Sequence, residues 1–135
     1  MNLIKFASLF LLCALAAHAQ LAVTVSPVKI TGQRVIVPLA LTNNLPQSVE
    51  AARVMCVVLN EQGKMVGQTA KWVICGFQGH SLSSRAGTTY NFVITSPQPL
   101  MTTNLSAKIV VNRVVLERDQ IANPNQIVNV TSSTK

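Results

Sequence analysis

The sequence has 135 residues, 49% of them hydrophobic and only 11% charged, with eleven Lys and Arg against four Asp and Glu. That composition excludes a disordered or collagen-like chain, and the charge is too scattered and the aromatics too few for nucleic-acid reading. Spread positive charge of this kind aids solubility and attracts anionic surfaces weakly.

The first element is "MNLIKFASLFLLCALAAHAQ": one early cation at Lys5, an apolar run, then Ala17-His18-Ala19 before Gln20. This is the layout of a secretory signal peptide cleaved after Ala19. A transmembrane anchor is the rival, but the apolar run is short of the roughly 18 to 20 residues that span a bilayer. A lipoprotein reading through Cys13 meets bulky Leu12 where a small residue is expected. The expectation is an exported chain, secreted or periplasmic, with residues 20–135 forming a single domain. Without Lys5 the net charge falls from +7 to about +6.

In the remainder, "LAVTVSPVKI" alternates at Val23 and Val25 and is interrupted by Pro27, which suits an edge strand. "RVIVPLALT" puts Val35, Val37, Leu39 and Leu41 on one face, with Pro38 marking a bulge or an edge. "EAARVMCVVL", about Ala51 to Leu59, is apolar on both faces. "NEQGK" closes a hairpin with Gly63 available for positive φ. "MVGQTAKWVI" returns with Ala70, Trp72 and Ile74 on one face, and Trp72 is expected in the core or at its margin. A connection, "GFQGHSLSSRAG", leads to "TTYNFVIT", where Tyr90, Phe92 and Ile94 point inward. "LSAKIVVNRVVLERD" changes phase near Asn112 and Arg113, predicting a bulge or bend between two short strands. "NQIVNV" and a polar tail follow. No stretch keeps a helical apolar stripe for three turns. About seven mostly antiparallel strands with turns between them predict an all-β, immunoglobulin-like β-sandwich, with a small barrel as the alternative.

Two cysteines lie beyond the leader, Cys56 and Cys75. An even count in an exported chain predicts a Cys56–Cys75 disulfide. A hairpin turning about Gln62 sets Cys56 opposite Gln68, so the bond requires the returning strand to bend or cross sheets between Gln68 and Cys75. Two separately buried thiols are the alternative. A Cys75–His80 catalytic pair lacks any local signal that orients it. A zinc site of Cys56, Cys75 and His80 matches no standard spacing. Glu117 and Asp119 share a face and cannot form opposed walls of a glycosidase cleft. Ser81, Ser83 and Ser84 lie near His80 without a nucleophile elbow. No cofactor or metal is expected. Asn104-Leu105-Ser106 and Asn129-Val130-Thr131 are glycosylation patterns whose use depends on the organism.

"VIVPLALTNNLPQSVEAARVMCVVLNEQGKMVG", "RAGTTYNFVIT" and "SAKIVVNRVVLE" resemble bacterial envelope domains of the FxLYD type and the related sandwich domains of desiccation-associated proteins. The matching features are the Asn43-Asn44 turn, the Leu59-to-Lys64 turn and the Ala86-Gly87 turn before Tyr90 and Phe92. The family's Phe and Tyr-Asp are absent; Val57 and Asn60 stand near Leu59. The resemblance implies a structural or interaction module of the envelope with no catalytic residues to carry over.

The expected function is therefore a non-catalytic structural or interaction domain that binds protein, glycan or an envelope surface. Contact would be made through an edge strand, at the strand of Pro27 or the one after Gly63, or through the loops. Phe77, His80 and Arg85 form the candidate binding loop. The runner-up is a small exported enzyme or enzyme inhibitor that uses the loop around His80.

Overall fold

A computed structural model describes residues 20–97, 99–100 and 104–133. The proposed leader, residues 1–19, lies outside the described residues. The described chain forms nine strands: β1 (Leu21–Val25), β2 (Lys29–Thr31), β3 (Arg34–Asn43), β4 (Val49–Leu59), β5 (Met65–Cys75), β6 (Gly87–Thr95), β7 (Ser106–Leu116), β8 (Gln120–Ala122) and β9 (Val128–Ser132). A short helix, α1 (Pro124–Ile127), precedes β9, with the Asn123 side chain accepting from the Asn125 N–H as its cap.

The strands make two sheets. In the five-stranded sheet β1 and β2 lie along one side of β3, β6 lies along the other, and β9 pairs with β1. The four-stranded sheet has the order β5-β4-β7-β8. All pairings are antiparallel except β1–β9, which is parallel. Leu21, Val23, Val35, Val37, Leu39, Leu41 and Phe92 from the first sheet meet Ala52, Val54, Cys56, Val58, Ile74 and Val114 from the second. The architecture is an all-β two-sheet sandwich. It exceeds the expected seven strands because Pro27 splits the first run into β1 and β2, and a short β8 follows β7.

The prolines act together. The Ser26 N–H donates to the Pro38 carbonyl at 3.0 Å, so the backbone edge of Pro38 faces the break between β1 and β2. The N–H that Pro38 lacks is not needed there, and β3 stays paired on both sides. At Gly63 φ is +78°, which closes the β4–β5 hairpin in the left-handed region.

One buried polar residue ties the loops. The Asn43 side chain is fully buried. Its amide donates to the carbonyls of Gln47 at 2.8 Å and Leu82 at 3.0 Å, and its carbonyl accepts from the Leu45 N–H at 3.0 Å. Burial is affordable because the polar atoms find partners. The result anchors both the 44–48 loop and the connection before β6.

The disulfide expectation is overturned. Cys56 and Cys75 are both free thiols. Cys56 pairs across β4–β5 with Thr69, not Gln68, and Cys75 pairs with Ala51. Strand β5 runs on to Cys75 without crossing to the other sheet. Six residues beyond Thr69, at about 3.3 Å each, place Cys75 on the order of 20 Å from the Cys56 position, against the roughly 4.4–6.8 Å between Cα atoms that a disulfide spans. The two thiols also face opposite sides of the sheet: Cys56 belongs to the buried core, while Cys75 shares a row with Ala51 and Val115. Gly67 is not a point of departure. A side chain there would meet Ile94 of β6, so its glycine lets β5 lie close against the facing sheet.

Candidate functional site

The outer face of the β5-β4-β7-β8 sheet carries the chemistry. Four register shifts interrupt its ladders, one of them leaving Glu50 extra between Val49 and Ala51, and two converge on Arg53. Between β4 and β5, Ala52 pairs with Ile74 and Arg53 with Trp72, leaving Val73 as an extra residue. Between β4 and β7, Arg53 pairs with Arg113 and Val54 with Val111, leaving Asn112 extra. Both irregularities flank Arg53, one on each neighbouring strand. Bulges re-aim side chains and are concentrated near functional sites. Here they produce one outward row: Trp72, Arg53, Arg113.

Trp72 is therefore not a core residue; it is 43% exposed. Simple alternation places it with Ile74, but the extra Val73 shifts the phase, so Ile74 turns inward and Trp72 outward. Arg53 and Arg113 are exposed and directly opposite each other. Like charges in that position repel. Among the described residues neither has an ion-pair partner.

The next row toward the end of the sheet is apolar: Cys75, Ala51, Val115 and Ile121 lie side by side across β5, β4, β7 and β8. Ala51 is buried while Ile121 is 67% exposed. Two turns wall this floor. On one side a 3-10 turn, Gly76–Gln78, projects Phe77, which is 99% exposed. On the other the turn Glu117–Asp119 contains Arg118 at φ +60° and Asp119 at φ +57°. Two successive non-glycine residues in the left-handed region are strained, and such strain gathers at functional sites. The turn is held by Ser48, whose N–H donates to Glu117 Oε1 at 2.6 Å and whose carbonyl accepts from the Glu117 N–H at 3.2 Å. Floor and walls enclose an open concavity of about 700 Å³, whose lining sets the carboxylates of Glu50 and Asp119 beside the guanidiniums of Arg113 and Arg118; Arg53 lies in the adjoining row.

The loop residues singled out from sequence separate in space. Phe77 lines this concavity. His80 lines a second one with Ser81, Ser83 and Tyr90, and the described residues place no carboxylate in it. Backbone bonds in both directions join His80 to Cys75 at 3.0 and 3.2 Å. Arg85 lines neither concavity; its φ is +71° and its N–H donates to the Asn43 carbonyl at 2.7 Å. Among the described residues no three His, Cys, Asp or Glu side chains gather to hold a metal ion. The Cys56 thiol is pushed up from 9.0 to about 11 by burial, since the thiolate would lose its hydration in the apolar core.

Sequence reasoning missed Arg53, Arg113, Arg118 and Ile121 as members of one site. The phase change at Asn112 was the one signal that pointed toward it. The fold and the face define a class, a two-sheet β-sandwich whose outer surface carries an arginine pair beside an apolar floor bordered by charges of both signs. Compared with protein-family models and with curated proteins, the chain matches none. No helix among the described residues is long and apolar enough to cross a membrane.

Proposed function

We propose that the chain is a non-catalytic interaction domain of the exported, envelope-associated kind, an immunoglobulin-like sandwich related to the FxLYD-type domains it resembles. It docks on an anionic envelope surface through the outer face of the β5-β4-β7-β8 sheet. One observation carries this reading: two bulges converge on Arg53 and set it beside Arg113 and Trp72, with no carboxylate paired to either guanidinium. An arrangement that costs stability in the free protein is relieved when an anion covers it. The exposed Phe77, Trp72 and Ile121 add apolar contact area to the charge.

Co-sedimentation of residues 20–135 with phosphatidylglycerol vesicles tests this. The domain binds these vesicles, binds phosphatidylcholine vesicles far less, and releases at high salt. Each arginine near an anionic surface contributes about 1 kcal/mol, so Arg53→Gln with Arg113→Gln lowers affinity roughly 30-fold. Equal retention of the double variant would remove the basis of the proposal.

A further inference from the structure

The concavity beside the arginine row points to a discrete ligand, and we infer that it binds a single molecule of an anionic amphiphile, an alkyl chain ending in a carboxylate or phosphate. The inference rests on the reading of this face as an anion-docking surface and makes it specific.

The site has two chemically distinct parts. Arg53 and Arg113 stand side by side without an ion-pair partner, and a guanidinium presents paired N–H donors that match the two oxygens of a carboxylate or phosphate. The adjoining floor of Cys75, Ala51, Val115 and Ile121 crosses four strands, about 14 Å at the usual strand spacing. That length suits an extended alkyl chain. The volume of about 700 Å³ lies in the range of small-molecule sites.

The floor also discriminates. It is the face of a sheet whose backbone N–H and C=O groups are directed along the ladders to neighbouring strands, not outward. On the floor itself a peptide or a sugar would surrender water from its polar groups, and only the bordering Glu50, Arg113, Arg118 and Asp119 could partner them. An alkyl chain has no such groups to satisfy. Phe77, on its projecting turn, and Trp72 stand at the edge of the floor where they can cover the chain.

Trp72 is the protein's single tryptophan, so its fluorescence reports on the surroundings of one side chain, which borders this concavity and the one around His80; the variants below assign the signal to the first. Residues 20–135 are titrated with dodecanoate below its micellar concentration, with dodecanol, with inorganic phosphate and with phosphatidylglycerol vesicles. Dodecanoate is expected to give a saturable change at one molecule per chain. Dodecanol is expected to bind at least tenfold more weakly, and phosphate to leave the signal unchanged. Arg53→Gln with Arg113→Gln and, separately, Ile121→Ser are each expected to weaken dodecanoate at least fivefold. Lys29→Gln, on the other sheet, is expected to leave it unaltered, and circular dichroism verifies that each variant is folded. Vesicle binding without dodecanoate binding overturns the amphiphile and leaves the docking surface standing. Phosphate binding as tight as dodecanoate overturns it in favour of a simple ion site. Binding of neither vesicles nor dodecanoate overturns both readings.

Discussion

The two outer faces of this sandwich are built differently. On the first sheet the outward rows include Thr89, Ala40, Thr24 and Thr131, and beside them Gly87, Thr42, Ala22 and Asn129. These side chains are small, and none in these rows is charged; the large and charged groups of this face, Lys29, Ile36 and Val93 and then Arg34, lie together toward its β2 end. On the second sheet the outward rows read Trp72, Arg53, Arg113; then Ala70, Met55, Val110; then Gln68, Val57, Lys108. Both sheets bury aliphatic residues on their inner faces, so the core makes no demand that distinguishes them. An outer face needs only to be soluble and to pair its strands, which threonine does well. Large apolar side chains alternating with unpaired cations go beyond that requirement. The difference is the ground for proposing the docking surface on the second sheet.

The largest effect comes from moving charge between the faces. Combining Arg53→Gln and Arg113→Gln with Thr24→Arg and Ala40→Arg keeps the net charge and places the new pair opposite each other on the first sheet. If the built face matters, affinity for phosphatidylglycerol vesicles still falls about 30-fold, or about 2 kcal/mol. Unchanged affinity would mean that net charge alone attracts the membrane.

The two thiols sharpen the contrast between inside and outside. Thiol titration of folded residues 20–135 near neutral pH labels one cysteine, Cys75, and unfolding exposes the second. Cys56 is held neutral by burial, with its thiol raised from 9.0 to about 11. The unfolded chain therefore gives up this proton first, so the stability it contributes is full below about pH 9 and is lost as pH rises toward about 11. Denaturant midpoints measured across that window should fall less steeply for Cys56→Val than for the parent. Identical slopes would show that this thiol is not desolvated in the fold.

The smallest effect is on stability. Arg53→Gln removes a like-charge cross-strand pair and should raise unfolding free energy by about 0.2–1 kcal/mol. A loss of stability would mean that the guanidiniums are already satisfied within the free domain, and the asymmetry between the faces would lose its meaning.

Much of the scaffold was legible in the residues. Alternation located the runs that became β3, β4 and β6 and gave the inner faces of β3 and β6, while β4 was apolar on both faces and left its inner face open; Gly63 marked the hairpin. Asn112 marked a real irregularity, although β7 continues through it as one strand. What escaped was register. A bulge at Val73 adds one residue without any glycine to announce it, and that residue reverses the direction of Trp72. Arg53 and Arg113 are far apart in sequence, and only the pairing of β4 with β7 brings them together. The disulfide was an expectation of cysteine count alone: the hairpin register already set Cys56 far from Cys75, and β5 makes no crossing to the other sheet that would bring them together. The parallel partner of β1 was also hidden, because a strand's pattern of side chains does not name its neighbour.

That parallel pairing sets an order of events. Leu21–Val25 meets Val128–Ser132 across about a hundred residues of intervening chain. At typical synthesis speeds of about 5–20 residues per second, β1 waits roughly 5 to 20 s for β9 to exist. Until then one edge of the first sheet lies open, and non-local pairing of this kind slows folding. The sandwich closes late, which keeps the chain pliable while it is being made. The shortness of β1, cut off at Pro27, limits the edge that other chains can join in the meantime.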